Sequence, residues 1–158
     1  MKELLSENNI QLINQAAYFE KEAAQTYEHF SNIAKVKGLF GCSKFFLNES
    51  KDEHSHFQKL ADFMNDMGEL ISMPSIAGLS EEIESIDEIF EKAYELELNL
   101  LEFYEGLLEE LPARCRPIVL EMIEKQVKSV GEYGDLIARL AITEDDILIF
   151  DQELGNGL

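Results

Sequence analysis

The chain has 158 residues and a mass of 18.0 kDa, the size of one ordinary globular domain, so a single domain is expected over residues 1–158. Its 13 lysines and arginines against 32 acidic residues give a formal charge of −19, which argues against a nucleic-acid partner. The sequence shows neither a run of about 18 apolar residues nor a secretory signal, so we expect a cytoplasmic protein without a membrane partner.

Four long segments repeat apolar residues at spacings of three and four, which is the period of an amphipathic helix. Glycine and proline fall almost entirely between these segments. Thr143 followed by Asp146 resembles a capping box and predicts a short fifth helix. The long helices are expected over about residues 7–35, 42–67, 86–111 and 117–141.

The connection between the second and third helices is much longer than the other two. Residues 69–85 contain Pro74 and Gly78 and show no clear period. A helix of roughly 27 residues is about 40 Å long, a length that about 16 extended residues can travel. The sequence therefore predicts an all-α four-helix bundle with one long crossover and a short C-terminal helix.

Ionisable or amide side chains interrupt the apolar stripe of every long helix. A buried carboxylate without a partner loses its hydration or takes up a proton, so such groups persist in cores where something satisfies them. We therefore treat each interruption as a candidate site residue. They are Glu20 on the first helix, Glu49, Glu53 and His56 on the second, Glu97 on the third and Gln126 on the fourth.

Distances from the turns place most of these residues at one level of the bundle. Glu97 lies 15 residues before the proline of the third turn and Gln126 lies 14 after it. Glu20 and Glu53 meet within about one turn by the same count, and His56 projects to the same side as Glu53. Three carboxylates, one imidazole and one amide then converge, a set that suits iron or manganese.

Taken singly, each residue has a simpler interpretation as a boundary carboxylate or a hydrogen-bonded core histidine. Their matching height favours a metal site, because independent boundary residues would scatter in level. Glu49 has no counterpart and is expected to be a boundary residue. His29 and His54 are expected to be solvated. Tyr27 is either plain core or a phenol that hydrogen-bonds a ligand or passes an electron.

The sequence resembles the ferritin family over nearly its whole length. Ferritin helices are similar in turn to INQAAYFEKEAAQTYEHFS, DEHSHFQKLADFMNDMG, YELELNLLE, EKQVKSVGEYGDLIARL and ILIFDQELG, the last two being closest to animal heavy chains. The family's site residues fall at Glu20, Tyr27, Glu53, His56, Glu97 and Gln126.

This resemblance implies a ferroxidase that oxidises Fe(II) with O₂ or peroxide at a centre of two iron ions per subunit and stores the ferric mineral. One ion would be bound by Glu20, Glu53 and His56. The other would be bound by Glu53 and Glu97, with Gln126 holding a water or ligating weakly. The family also implies self-assembly into a 24-subunit cage.

Some positions depart from the family pattern. Ser129 stands where bacterial ferritins carry a carboxylate for a third iron, so that site is not expected here. Arg116 and Val119 stand where acidic residues line the three-fold pores of the family. These two residues predict a positive, apolar constriction and an iron route elsewhere in the shell.

Two alternatives stay open. A rubrerythrin-like peroxide reductase would need a second E-x-x-H and a four-cysteine iron domain, and this sequence has neither. A non-catalytic structural or interaction bundle would use the same polar core only to fix its packing. An anaerobic iron titration separates the second alternative from a ferroxidase.

Overall fold

The computed structural model describes residues 2–143 and 145–157, and over those residues the chain is helical without β-strands. This confirms the predicted all-α fold. No helix in the described part of the chain is long and apolar enough to cross a membrane. The α-helices are α1 (Glu7–Val36), α2 (Phe40–Asp66), α3 (Ile86–Glu110), α4 (Arg116–Ile142) and α5 (Ile147–Gly155), with a 3₁₀ turn (Ala113–Cys115) before α4.

The helix ends are set by local chemistry. Ser6 and Asn9 form a reciprocal capping box at the start of α1, which satisfies two amides of its first turn. At the start of α3, the Ser85 hydroxyl accepts a hydrogen bond from the backbone amide of Asp87. Gly38 and Gly68 adopt φ angles of 80° and 79° just beyond α1 and α2, a conformation that glycine reaches without steric cost.

The start of α5 differs from the sequence prediction. Thr143 does not open this helix, because its hydroxyl donates to the carbonyl oxygens of Arg139 and Leu140 in the preceding turn of α4. Threonine commonly bonds back to such carbonyls at a helix end. Helix α5 begins only at Ile147, and its N-cap, Asp146, makes no side-chain capping bond among the described residues.

The crossover runs lengthwise along α1, as its length predicted. Helices α1 and α2 form one closely packed pair, and α3 and α4 form the other. Four side chains spaced along α1 and its C-cap form hydrogen bonds with the crossover backbone. They follow the same order along both segments, so the crossover is held at four heights of α1. The pairs are Asn14 with Ser72, Gln25 with Ala77, His29 with Glu81 and Lys37 with Glu84.

Helix α5 docks on the start of α2 through a carboxylate. Asp151 is buried and accepts hydrogen bonds from the backbone amides of Gly41, at 3.0 Å, and Cys42, at 2.7 Å. These amides belong to the first turn of α2, which has no capping side chain of its own. A Cβ at Gly41 would lie 1.8 Å from the Asp151 carbonyl oxygen, so the contact requires glycine. Leu148 and Ile149 remain 64% and 48% exposed.

Candidate metal centre

With the exception of Glu49, the polar interruptions of the apolar stripes meet in the middle of the bundle. Each long helix contributes at least one of them, and all are nearly or fully enclosed. Burial of this many ionisable groups together is costly unless they satisfy one another or share a cation. Their exposed fractions are 0% for Glu20, 3% for Glu53, 8% for His56, 1% for Glu97 and 1% for Gln126, and Tyr27 beside them is 0% exposed.

Glu20, Glu53 and His56 form what we call the open half of the centre. The Nδ1 atom of His56 lies 3.4 Å from Glu20 Oε2 and 3.4 Å from Glu53 Oε2. One ligand atom of each residue lies within 4.8 Å of those of the other two. Those same carboxylate oxygens and the imidazole nitrogen are buried without a hydrogen-bond partner in the described part of the chain. A single cation between them would satisfy all three atoms.

Glu97 and Gln126 form the closed half, where the donor atoms are already paired. The Tyr27 hydroxyl donates to Glu97 Oε1 at 2.6 Å. The Gln126 side-chain amide donates to Glu97 Oε2 at 2.6 Å and to the Glu97 carbonyl oxygen at 3.2 Å. Gln126 therefore contacts the centre through its hydrogen bonds to Glu97. Tyr27 is a hydrogen-bonding partner of a candidate ligand, which is one of the two interpretations of this residue from the sequence.

The polar interruptions of the stripes do not reveal one member of the centre, Tyr104 of α3. Its fully buried hydroxyl donates to Glu20 Oε1 at 2.6 Å. A signal was available, because Tyr104 follows Glu97 by seven residues just as Tyr27 follows Glu20 by seven. Each tyrosine holds the glutamate of the other's helix, which gives the centre an approximate internal two-fold symmetry.

The carboxyl groups of the centre divide into one that ionises easily and two that do not. Burial raises the pKa of Glu53 well above its ordinary value, and the neighbouring Glu20 charge adds to this. Burial acts in the same direction on Glu20, but the neighbouring side chains of Glu53, His56 and Tyr104 outweigh it and hold the pKa of Glu20 below its ordinary value. Burial raises the pKa of Glu97 against the opposing hydrogen bonds described above. Burial and the Glu20 charge therefore favour the protonated form of Glu53 in the metal-free protein.

Glu49 lies beside the closed half rather than in the open one. It is half-buried, as expected of a boundary residue, but burial raises its pKa to about 7, and the Glu97 charge contributes. The nearby Tyr133 is fully buried, and its hydroxyl has no hydrogen-bond partner among the described residues. Its position on the apolar stripe of α4 predicts only core packing.

The histidines outside the centre differ from each other. His54 is exposed, as predicted, and its ring nitrogen lies 3.2 Å from the Lys21 ammonium. His29 was also expected to be solvated, and that expectation is wrong in part. Its side chain is half-buried and bonds the Glu81 carbonyl oxygen at 2.7 Å, because the crossover covers that side of α1.

The expectation that Val119 lines a pore is also wrong. Its side chain is 2% exposed and packs inside its own bundle, whereas Arg116 is exposed. The physical reason is helical register: Val119 precedes the buried Gln126 by seven residues, which is close to two full turns, so both project to the core. The constriction predicted at Arg116 and Val119 therefore lacks its apolar residue.

Residues 10–143 match the family model described as "Ferritin-like domain". The chain belongs to the ferritin family. This ferritin is 24% identical to the probable bacterial non-heme ferritin-like protein of Haemophilus influenzae over 160 residues, which cover 97% of each chain. It is 32% identical to the ferritin of Pacifastacus leniusculus over 128 residues, covering 73% of this chain and 69% of that protein.

Solved structures give the same fold. The open pore ferritin of the archaeon Archaeoglobus fulgidus superposes with a TM-score of 0.91 at 22% identity, covering 96% of both chains. Chlorobium tepidum ferritin superposes with a TM-score of 0.84 at 21% identity, covering 98% of this chain and 99% of that one. These structures confirm the four-helix architecture predicted from the sequence, and the match to the family model confirms the family resemblance.

Proposed function

We propose that this ferritin is a single-domain ferroxidase that oxidises Fe(II) with O₂ or peroxide at a centre for two iron ions and stores the ferric product. The observation that supports it most strongly is the open half. Three ligand atoms of two types converge there, buried and unpartnered within the described residues. Carboxylate oxygens with one imidazole nitrogen fit Fe(II), and the carboxylates favour its oxidised form.

The first Fe(II) ion would be held by Glu20, Glu53 and His56. These side chains already point at one another, so binding breaks none of their hydrogen bonds in the described structure. Tyr104 fixes Glu20 from behind through its other oxygen, which leaves Oε2 free for the metal. Because the raised pKa of Glu53 favours its protonated form, binding of the ion at this carboxyl group is expected to release a proton.

The second Fe(II) ion would be shared between Glu53 and Glu97. To bind it, Glu97 must redirect an oxygen that now accepts from Tyr27 or Gln126. Gln126 would then hold a water or ligate weakly through its amide oxygen. The second ion is therefore expected to bind less tightly and to leave first after oxidation, which gives the ferric product a way out.

Storage requires an enclosed assembly, and we propose the 24-subunit cage that the family resemblance implies, in the cytoplasm. The exposed apolar side chains at the end of α4 and on α5 support contacts between subunits: Ile142, Leu148 and Ile149 are 84%, 64% and 48% exposed. Each copy carries a formal charge of −19, so an assembly would attract cations strongly.

The proposal is tested by Glu53→Ala, because Glu53 is the residue placed to touch both ions. Stopped-flow absorbance after mixing with Fe(II) in air should show loss of the fast ferric phase, by at least about 100-fold in rate, the scale of losing a positioned group. Asp62→Ala, an exposed carboxylate on the same helix, is the matched control and should react normally. Size-exclusion chromatography should show unchanged assembly for both. A fast phase of normal rate in Glu53→Ala would favour the non-catalytic bundle.

A further inference from the structure

A cavity of about 630 Å³, which we call the α1–α3 cavity, lies between the first and third helices. These two helices belong to different tightly packed pairs, so side chains fill the seam between them less closely than the seam within either pair. The buried residues Ala23 and Leu100 line its inner end, and the short side chain of alanine leaves room there. The volume falls within the range of about 300–1,000 Å³ that is usual for small-molecule sites.

Aromatic side chains form much of the apolar lining. Phe19 of α1 and Phe103 of α3 meet edge to face, with ring centroids 4.9 Å apart and 86° between the planes. Leu96 lines the cavity with them, and all three side chains are half-buried. They therefore keep apolar surface that a ligand would remove from water. The faces of aromatic rings also attract ammonium groups.

Carboxylates surround this apolar lining. Glu22 on α1 and Glu95 and Glu102 on α3 all line the cavity and are exposed. None of the three forms an ion pair with any residue that the structure describes. Lys92 also lines the cavity, but its ammonium lies 4.0 Å from an oxygen of Glu88, a carboxylate outside the lining. The cavity therefore combines an apolar wall with uncompensated negative charge, which is complementary to an organic cation.

The spacing of the carboxylates on α3 indicates the shape of that cation. Glu95 and Glu102 are seven residues apart, which is close to two helical turns and about 10 Å along the axis. The amide of Asn99 lies between them on the same stripe. A ligand that reaches both carboxylates needs a positive group at each end and an apolar body between. A metal ion alone would leave the aromatic wall uncovered, and an anion would be repelled.

We propose that the α1–α3 cavity binds an aliphatic diamine or polyamine whose terminal ammonium groups lie about 10 Å apart. One ammonium pairs with Glu95 and the other with Glu102, while Glu22 adds negative charge from the opposite helix. The methylene chain covers the rings of Phe19 and Phe103. The ligands of the candidate metal centre do not line this cavity, so the site is separate from that centre and the inference does not depend on the proposed function.

A series of amines tests the ligand. Isothermal titration calorimetry on the metal-free protein, at about 0.15 M salt to screen diffuse attraction to its acidic surface, compares 1,8-diaminooctane, octylamine and putrescine. Octylamine has the same apolar body with one ammonium group, and putrescine has two ammonium groups on a shorter chain. We expect one 1,8-diaminooctane per subunit, bound several-fold more tightly than either of the other amines, because only this ligand combines the apolar body with both ion pairs.

Matched variants test the residues. Glu95→Gln and Glu102→Gln should each reduce the affinity for 1,8-diaminooctane to about that of octylamine, because one ammonium then has no carboxylate. Glu109→Gln is the control, since it removes an exposed carboxylate of the same helix from outside the cavity, and it should bind as wild type does. Asn99→Phe fills the cavity from an exposed position without a change of charge and should abolish binding.

Several results would overturn this inference. Equal affinities for 1,8-diaminooctane and octylamine, or equal losses in Glu95→Gln and Glu109→Gln, would mean that the acidic surface attracts amines without a built site. Normal binding in Asn99→Phe, or no saturable heat in wild type, would also overturn it. Glu53→Ala should bind the diamine normally, and a loss there would place the amine at the metal centre instead. Failure of the proposed ferroxidase leaves these results unaffected, because none of the titrations uses iron.

Discussion

The two halves of the centre are built from similar residues but differ in how far their donor atoms are satisfied. In the open half, Glu20, Glu53 and His56 each present a buried atom without a partner among the described residues. In the closed half, both oxygens of Glu97 accept hydrogen bonds, from Tyr27 and from Gln126. The difference implies an order of filling: the first ion meets ligands that are ready, and the second must break a protein hydrogen bond.

The largest effect is expected from His56→Ala, which removes the nitrogen ligand of the open half. We expect the tight binding step to lose at least about 100-fold in affinity, a loss no smaller than removal of an outer-shell partner causes. The closed half keeps its ligands, so stoichiometry should fall to about half. Anaerobic calorimetric titration with Fe(II) or Zn(II) measures both quantities.

His54→Ala is the matched control, because His54 lies on the same helix two residues away and is exposed. It should bind metal as wild type does. Unchanged stoichiometry and affinity in His56→Ala would mean that the imidazole is an ordinary core residue and that the open half is misassigned.

Each half of the centre is supported by a hydrogen bond from one tyrosine. Tyr104→Phe frees Glu20 from its anchor and should weaken the first ion, whereas Tyr27→Phe frees Glu97 and should change only the second. For Tyr104→Phe, the loss of this outer-shell hydrogen bond should cost about 10- to 100-fold in affinity for the first ion. The same titration, fitted with two sites, checks the assignment. Equal effects of both variants on both sites would remove the distinction between the halves.

Proton release provides a smaller and independent signal. The pKa of Glu53 is well above its ordinary value because of burial and the Glu20 charge, so the metal-free carboxyl is protonated below that pKa. Below that pKa, metal binding should release about one proton per first ion. The release disappears as the pH rises through the Glu53 pKa. Calorimetry in buffers of different ionisation enthalpy counts the protons, and Glu53→Gln should release none.

The smallest expected effect concerns Glu49, beside the closed half. Its folded pKa is about 7 against an ordinary value of 4.5, so between these values the folded state binds more protons than the unfolded state. Stability from this group is therefore full below pH 4.5 and declines as the pH rises to about 7, by about 1 kcal/mol after allowing for its partial solvation. Denaturant unfolding of metal-free wild type and Glu49→Gln should differ by this slope. Parallel pH profiles would contradict the raised pKa.

The sequence predicted the convergence of the polar side chains where the evidence was periodic. The stripes and the distances to the turns placed Glu20, Glu53, His56 and Glu97 at one height because helical geometry converts residue counts directly into distance. Register also explains the error at Val119. The count across the third turn assigned it to a pore, although its spacing of seven from Gln126 already put it on the buried face.

Other features had no local pattern to reveal them. The Asp151 cap on α2 joins residues 109 and 110 positions apart, so it depends on where the bundle places α5. Tyr104 and Tyr133 look like ordinary core aromatics in a stripe, and only the positions of their hydroxyls distinguish them. Hydroxyl groups on apolar helix faces are therefore the part of such a site that is hardest to predict from sequence.

The most direct test of the account is anomalous X-ray diffraction from crystals loaded anaerobically with one Fe(II) per subunit and then with two. The first ion should lie between Glu20 Oε2, Glu53 Oε2 and His56 Nδ1 while Glu97 still accepts from Tyr27 and Gln126. The second ion should appear between Glu53 and Glu97 with one of those hydrogen bonds broken. A first ion bound at Glu97, or iron found only on exposed carboxylates, would contradict it.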